Sequence, residues 1–127
     1  MAIKFTIDAS PNTTWRILVF VHPSLKAMHK ARGDSGCLAF CLPYTHDQCV
    51  TEKQGGVFCE LHFARGENMR HKFIVHECLH ALVAYAKLCR LKIHEADYDG
   101  EEWLACSIEH MVSGILWMLK KRKVKVL

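Results

Sequence analysis

The sequence predicts a single α+β domain over residues 1–127, in which a small mixed or antiparallel sheet packs on two long helices. Strand-like segments occupy the first half of the chain, and two long helical patterns occupy the second half. Half of the residues are hydrophobic and 24% are charged, which is typical of a globular domain with a buried core.

Four segments of the first half predict strands, because their apolar residues alternate or their β-branched residues cluster. They are Ile3–Asp8, residues 15–22, residues 36–44 and Val57–Ala64. A short helix is predicted over residues 23–32, where Leu25, Met28 and Ala31 follow a helical spacing. Gly33 is expected to end this helix.

The second half predicts two long helices. The first begins after Asn68, a residue type that caps helix N-termini. Its predicted apolar stripe consists of Val75, Leu79, Leu82, Ala86 and Cys89. The second is predicted over residues 100–121, where Asp99 and Glu102 form a capping-box pattern.

The first long helix carries the pattern His76-Glu77-x-x-His80. Residues four apart lie on one face of a helix, so His76 and His80 can direct ring nitrogens at one point. Zn²⁺ accepts imidazole nitrogen and prefers a tetrahedral set of ligands. Glu77 lies about 100° around the helix from His76, where its carboxylate can take a proton from a water molecule. The pattern predicts a Zn²⁺ site with Glu77 as general base.

A catalytic zinc needs a third protein ligand and an open position. Glu102 suits this role because it opens the last helix and is followed by the small residues Ala105 and Cys106, which allow close helix contact. Its neighbour Glu101 is the main rival, since a small error in register exchanges the two. Other candidates are Glu109, His110 and the acidic or histidine residues of the 94–99 connection.

The stretch "VHECLHALVAYAK", followed by "GEEWLACSIEHMV", resembles the gluzincin branch of the zincin metallopeptidases. The stretch "GGVFCELHFARGENMRHKFIVHECLHA" is similar to the strand-and-helix core of small zinc peptidases encoded by phages. The resemblance covers residues 57–117. It departs at Cys106, where thermolysin-like enzymes place an aspartate that orients a zinc ligand, and Asp97 or Asp99 could supply that contact instead.

The resemblance implies a zincin-like fold and zinc-dependent peptide hydrolysis, with His76, His80 and Glu102 as ligands and Glu77 as base. It also implies that a peptide or protein substrate pairs with an edge strand, for which Val57–Ala64 is the candidate. Three residues are candidate donors to the developing oxyanion, namely His62, Tyr98 and His110.

The alternative is a catalytically inactive, zinc-stabilised module that binds a host or virion protein. Retention of Glu77, which a pseudoenzyme could lose without losing zinc, favours the enzyme.

The seven cysteines are odd in number, and no signal-peptide pattern opens the chain. A cytoplasmic location with reduced thiols is therefore expected, in the host if the protein is phage-encoded. Cys37 and Cys41, with His46, Cys49 and Cys59 nearby, could hold a second zinc, but their spacing favours core packing. Cys78 is expected to face the core.

The apolar runs are too short for a membrane span, so no membrane partner is expected. The formal charge is +4, and much of it lies in the C-terminal "LKKRKVKVL". A solvated basic helix end explains this run better than a nucleic-acid site does.

Overall fold

A computed structural model of the chain describes residues 1–33, 36–45, 56–95 and 97–127. These ranges contain four strands, three α-helices and one short 3-10 helix, and they confirm the predicted α+β class. The elements are β1 (Ile3–Asp8), β2 (Arg16–His22), α1 (Leu25–Arg32), β3 (Phe40–Pro43), β4 (Val57–Ala64), α2 (His71–Leu88), the 3-10 helix Ile93–Glu95 and α3 (Tyr98–Lys121). No helix in the described ranges is long and apolar enough to cross a membrane.

The four strands form one mixed sheet in the order β1-β2-β4-β3. The β1–β2 and β3–β4 pairs are antiparallel, whereas β2 and β4 are parallel. Strand β4 is therefore hydrogen-bonded on both sides, and the expectation that Val57–Ala64 is an edge strand is wrong. The edge beside β4 is occupied by β3, a strand of four residues that the sequence predicted to be longer, over 36–44.

Helices cover both faces of the sheet, because side chains along each strand alternate between the faces. On one face, Val19, Leu61 and Phe63 are fully buried in the main core beneath α2 and α3. On the other face, Met28 of α1 packs with Phe40 and Ala64 in a small second cluster. Gly33 ends α1 at φ 80°, as predicted, because glycine adopts the left-handed conformation without steric cost.

Tyr85, which is 3% exposed, connects α2 to three other parts of the fold. The phenol oxygen lies 2.9 Å from Oγ of Ser10, so the two hydroxyls share a buried hydrogen bond. The Tyr85 ring stacks on Phe58 of β4 and on Trp103 of α3, with centroids 5.4 and 4.9 Å away. One side chain therefore ties the helix to the sheet, to the loop after β1 and to α3.

The predicted apolar stripe of α2 is only partly correct. Leu82 and Ala86 are buried, but Val75 and Leu79 are 47% and 53% exposed and Cys89 is exposed. The buried face is instead centred on Ile74, Cys78, Ala81 and Tyr85, rotated by roughly 80° from the prediction at 100° per residue. Apolar residues occur around much of the circumference of α2, so the sequence alone does not indicate which face is buried. Packing on the sheet buries the face that adjoins Glu77.

The helix caps also differ from their predictions. Arg70, whose side chain makes no capping hydrogen bond, occupies the N-cap of α2 in place of Asn68, because a turn at Gly66–Met69 precedes the helix. Helix α3 begins two residues early, and Asp97 rather than Asp99 is its N-cap, accepting from the Gly100 amide at 2.9 Å. Glu102 is therefore not part of a capping box.

Candidate functional site

The two histidines of the motif lie side by side on the outer surface of α2. Their ring centroids are 5.0 Å apart and the rings meet edge to face at 72°. His76 and His80 are both exposed, so their nitrogens are open to a ligand from solvent. The helical spacing places the two imidazoles as the sequence predicted.

Glu77 lies between these imidazoles and the core. It is 4% exposed, and its Oε1 is 3.9 Å from Nε2 of His76. Among the described residues, its Oε2 has no hydrogen-bond partner. Burial raises the pKa of the Glu77 carboxyl, while His76 and His80 act in the opposite direction.

Ligand atoms of His76, Glu77 and His80 lie within 4.8 Å of one another. The two imidazole nitrogens are ligands that zinc accepts, and the Glu77 carboxylate would lie beside a metal ion that they hold. Oε2 of Glu77 is a buried polar atom that has no hydrogen-bond partner among the described residues. A nearby cation, or a water molecule bound to that cation, would offset the cost of removing this atom from water. The residues present therefore fit a divalent metal ion.

A cavity of about 560 Å³ lies between α2 and the β3 edge of the sheet, with Glu77 and His80 in its wall. Most of its lining is apolar or aromatic, formed by Ala39, Phe40, Pro43, Tyr44, Phe58, Val83, Ala84 and Leu88. Cys41 and two cationic side chains, Arg32 and Lys87, complete the lining. The lining residues of α2 run from Glu77 to Leu88, so the cavity is elongated, about 16 Å along the helix axis.

Glu102 does not belong to this group of ligand atoms. It is exposed on α3, and its Oε1 accepts from Sγ of Cys106 at 3.5 Å. Helix α3 runs antiparallel to α2, because Trp103 stacks on Tyr85 while Leu127 bonds to Met69. At 1.5 Å per residue this pairing puts Glu102 about 9 Å along the axis from the level of His80.

The cavity lies on the side of α2 that faces β3, at one edge of the sheet. Helix α3 packs over β1, at the opposite edge, so it contacts the other side of α2. Glu109 is the acidic residue of α3 that this pairing of the helices places at the level of the motif. Glu109 and Glu101 are both exposed, and neither belongs to the group of ligand atoms. The assignment of Glu102 as third ligand stays a prediction.

The remaining predicted residues have other surroundings. Tyr98 is 77% exposed at the start of α3, and His62 is buried in a separate network. Asp97 caps α3, and Asp99 is exposed in its first turn. Neither Tyr98, His62 nor His110 lines the cavity.

The cysteines behave mainly as core residues. Cys59 and Cys78 are fully buried, and burial, with Cys41 and Glu77 nearby, raises the pKa of Cys78 to about 12. All six described cysteines are free, and the described residues show no cysteine cluster suited to a metal. Cys37 lies ahead of β3 rather than inside it, and His46 and Cys49 fall outside the described residues.

A buried polar network, which the sequence did not predict, reaches the cavity through Tyr44. The Tyr44 hydroxyl donates to Oε2 of Glu60 at 2.5 Å, and Nε2 of His62 donates to Oε1 of Glu60 at 2.8 Å. His62 then accepts at Nδ1 from Nε2 of His22 at 2.9 Å. The only signal in the sequence was the alternation that places Glu60 and His62 on one face of β4.

The network is consistent with two neutral imidazoles. The His62 ring lies between Phe20 and Phe40, with centroids 4.4 and 4.2 Å away. Burial, and the charge of His62, lower the pKa of His22. Burial also lowers the pKa of His62, although its bond to Glu60 acts in the opposite direction.

Comparison with family models, with curated proteins and with solved structures finds no significant match to this chain. The site is therefore interpreted from its own geometry.

The His22–His62 network predicts that the fold is less stable in acid. The pKa values of His22 and His62 are both lowered in the folded state, so their contribution to the free energy of unfolding is present above about pH 6.5, the pKa in the unfolded chain. This contribution is lost as the pH falls through 6.5 towards the folded pKa values, because the unfolded chain then binds protons more readily than the folded chain does. Urea unfolding between pH 5 and 8 should show this slope, and His22→Gln should reduce it.

The matched control is His94→Gln, since His94 has an 80% exposed side chain. This variant should keep the wild-type slope. Equal slopes in wild type and His22→Gln would show that His22 does not titrate with unfolding.

Proposed function

We propose that this chain is a zinc-dependent hydrolase, and specifically a small metallopeptidase. The observation that carries the proposal is the cluster of His76, Glu77 and His80, in which a buried carboxylate lies beside two exposed imidazoles and one of its oxygens has no hydrogen-bond partner among the described residues. This combination is unusual for a purely structural helix, because buried polar atoms are almost always paired.

In this proposal His76 and His80 hold the metal, and Glu102 is the third ligand that the sequence assigns. A bound Zn²⁺ would act as a Lewis acid and would make a water molecule acidic enough to ionise near neutral pH. The open face of α2 leaves room for a water and a substrate beside the two imidazoles.

Glu77 acts as the general base. Its position next to His76, with one oxygen unpartnered, leaves it free to accept a proton from a water molecule and to return it to the leaving amine. The core around α2 holds the carboxylate in one place, because Ile74, Cys78 and Ala81 on the same helix are fully buried. Such fixed geometry is a large part of general-base efficiency.

The cavity is the proposed substrate site. An apolar or aromatic side chain of a peptide fits its lining, and Glu77 and His80 in the wall place the reacting bond next to that side chain. Strand β3 pairs only with β4 in the described sheet, so its outer edge can accept an extended peptide. The proposal thus assigns peptide pairing to β3 in place of β4.

The free thiols of the described cysteines agree with the cytoplasm as the proposed compartment.

Glu77→Gln should retain zinc and fold but lose at least about 100-fold in kcat, because an amide cannot accept the proton. Zinc-loaded wild type and variant are compared on a peptide library rich in large apolar residues, with cleavage read by mass spectrometry. Glu67→Gln, a change at an exposed side chain that does not line the cavity, is the control and should cleave like wild type.

Two results would contradict the hydrolase. One is equal cleavage by Glu77→Gln and wild type. The other is a zinc-loaded wild type that cleaves no peptide of the library, which would favour the zinc-stabilised binding module.

The third ligand is tested with Glu101→Ala, Glu102→Ala and Glu109→Ala. Because Glu102 lies outside the group of ligand atoms, it could reach the metal only if α3 moved towards the motif. If it does, Glu102→Ala should weaken zinc binding by more than about 100-fold, beyond the 10–100-fold that loss of an outer-shell partner costs. Glu101→Ala and Glu109→Ala should then bind zinc nearly as wild type does, in competition with a chromophoric chelator. A loss confined to Glu109→Ala would assign the ligand to the residue level with the motif.

A further inference from the structure

Eight of the chain's 17 Lys and Arg residues lie in two segments, 65–72 and 120–127. All eight are exposed, and together they are named the basic end: Arg65, Arg70, Lys72, Lys120, Lys121, Arg122, Lys123 and Lys125. The sequence indicated a solvated helix end for the five C-terminal members of this set. The fold adds the residues around the start of α2.

Backbone hydrogen bonds bring the two segments together. After α3, Lys123 adopts a left-handed conformation at φ 58°, and the amide of Val124 bonds to Leu119 O at 2.9 Å. This turn reverses the chain, as in a Schellman motif. The amide of Leu127 then donates to Met69 O at 2.8 Å, which lays the tail against the loop before α2.

The tail presents its charges outward because its apolar residues point inward. Val124 is 5% exposed and joins the main core, and Val126 packs partly against the same core. Lys123 and Lys125 are left on the surface, beside Arg65, around a shallow cleft of about 340 Å³. Cationic side chains from both segments therefore line one cleft.

The positive charge of the basic end is not balanced locally. Glu67 is the only acidic side chain in the two segments, and none of the eight basic residues forms an ion pair within the described ranges. Unpaired like charges held side by side repel one another, so a polyanion gains by binding there.

An exposed aromatic ring borders the same surface. Trp117 on α3 is 61% exposed, and Nζ of Lys121 lies 5.0 Å from its ring centroid. A flat ring beside a row of cations is the arrangement on which single-stranded nucleic acids stack their bases. An acidic protein would not need the ring, and a membrane surface would need a continuous apolar face, which the inward valines do not provide.

We propose that the basic end binds the phosphate backbone of nucleic acid, with Trp117 stacking on a base of a single strand. The site lies at the end of the molecule where α2 begins and does not depend on zinc or hydrolysis.

The test measures fluorescence anisotropy of a labelled 20-nucleotide single strand and of the matching duplex, at several salt concentrations. Wild type should bind the single strand, with log K falling by about 0.7 per phosphate contacted for each tenfold rise in salt. Lys121→Ala/Lys123→Ala/Lys125→Ala should bind at least tenfold more weakly. Trp117→Ala should lose affinity for the single strand more than for the duplex.

The control Lys26→Ala/Lys30→Ala/Lys92→Ala removes the same charge from exposed positions elsewhere and should bind nearly as wild type. The variant Lys123→Gly distinguishes an effect on folding from an effect on binding, because glycine adopts the positive φ of this position without steric cost. It should melt no lower than wild type and still bind more weakly.

Three results would overturn the proposal: equal losses in the two triple variants, no measurable binding by wild type, or binding to vesicles of anionic lipid without binding to the oligonucleotides.

Discussion

A buried carboxylate with an unpartnered oxygen is the constraint on which the site depends. Glu77 is 4% exposed, and Oε2 finds no partner among the described residues. Removing such a group from water costs on the order of several kcal/mol unless it is neutralised or paired. The two imidazoles within 4.8 Å can hold a cation that offsets this cost. Burial of Glu77 and exposure of the histidines are therefore two parts of one arrangement.

The fold keeps this arrangement rigid on one side and open on the other. Tyr85 joins α2 to Ser10, Phe58 and Trp103, so the helix cannot rotate without breaking contacts on three elements. On the other side, β3 is only four residues long, and a cavity remains between it and α2. A rigid helix that carries His76, Glu77 and His80 beside a largely apolar cavity is the arrangement that the proposed binding of a peptide side chain requires.

Local patterns correctly predicted the bounds of β1 and β4 and the pairing of His76 with His80, because alternation and the helical repeat act over a few residues. The buried face of α2 could not be predicted in this way. Val75 and Leu79 are as apolar as the residues that are buried, and the choice depends on sheet packing. Strand order, which made β3 the edge, and the approach of Tyr44 to Glu60 depend on contacts distant in sequence.

Metal content tests whether His76 and His80 hold a zinc ion. Wild type, His80→Ala and the control His71→Ala, a change at an exposed histidine outside the candidate ligands, are equilibrated with trace zinc, passed over a desalting column and analysed by plasma mass spectrometry, beside their thermal melts. We expect one zinc per chain in wild type and in His71→Ala, and a small fraction of that in a folded His80→Ala. Equal zinc in all three proteins, or none in wild type, would contradict it.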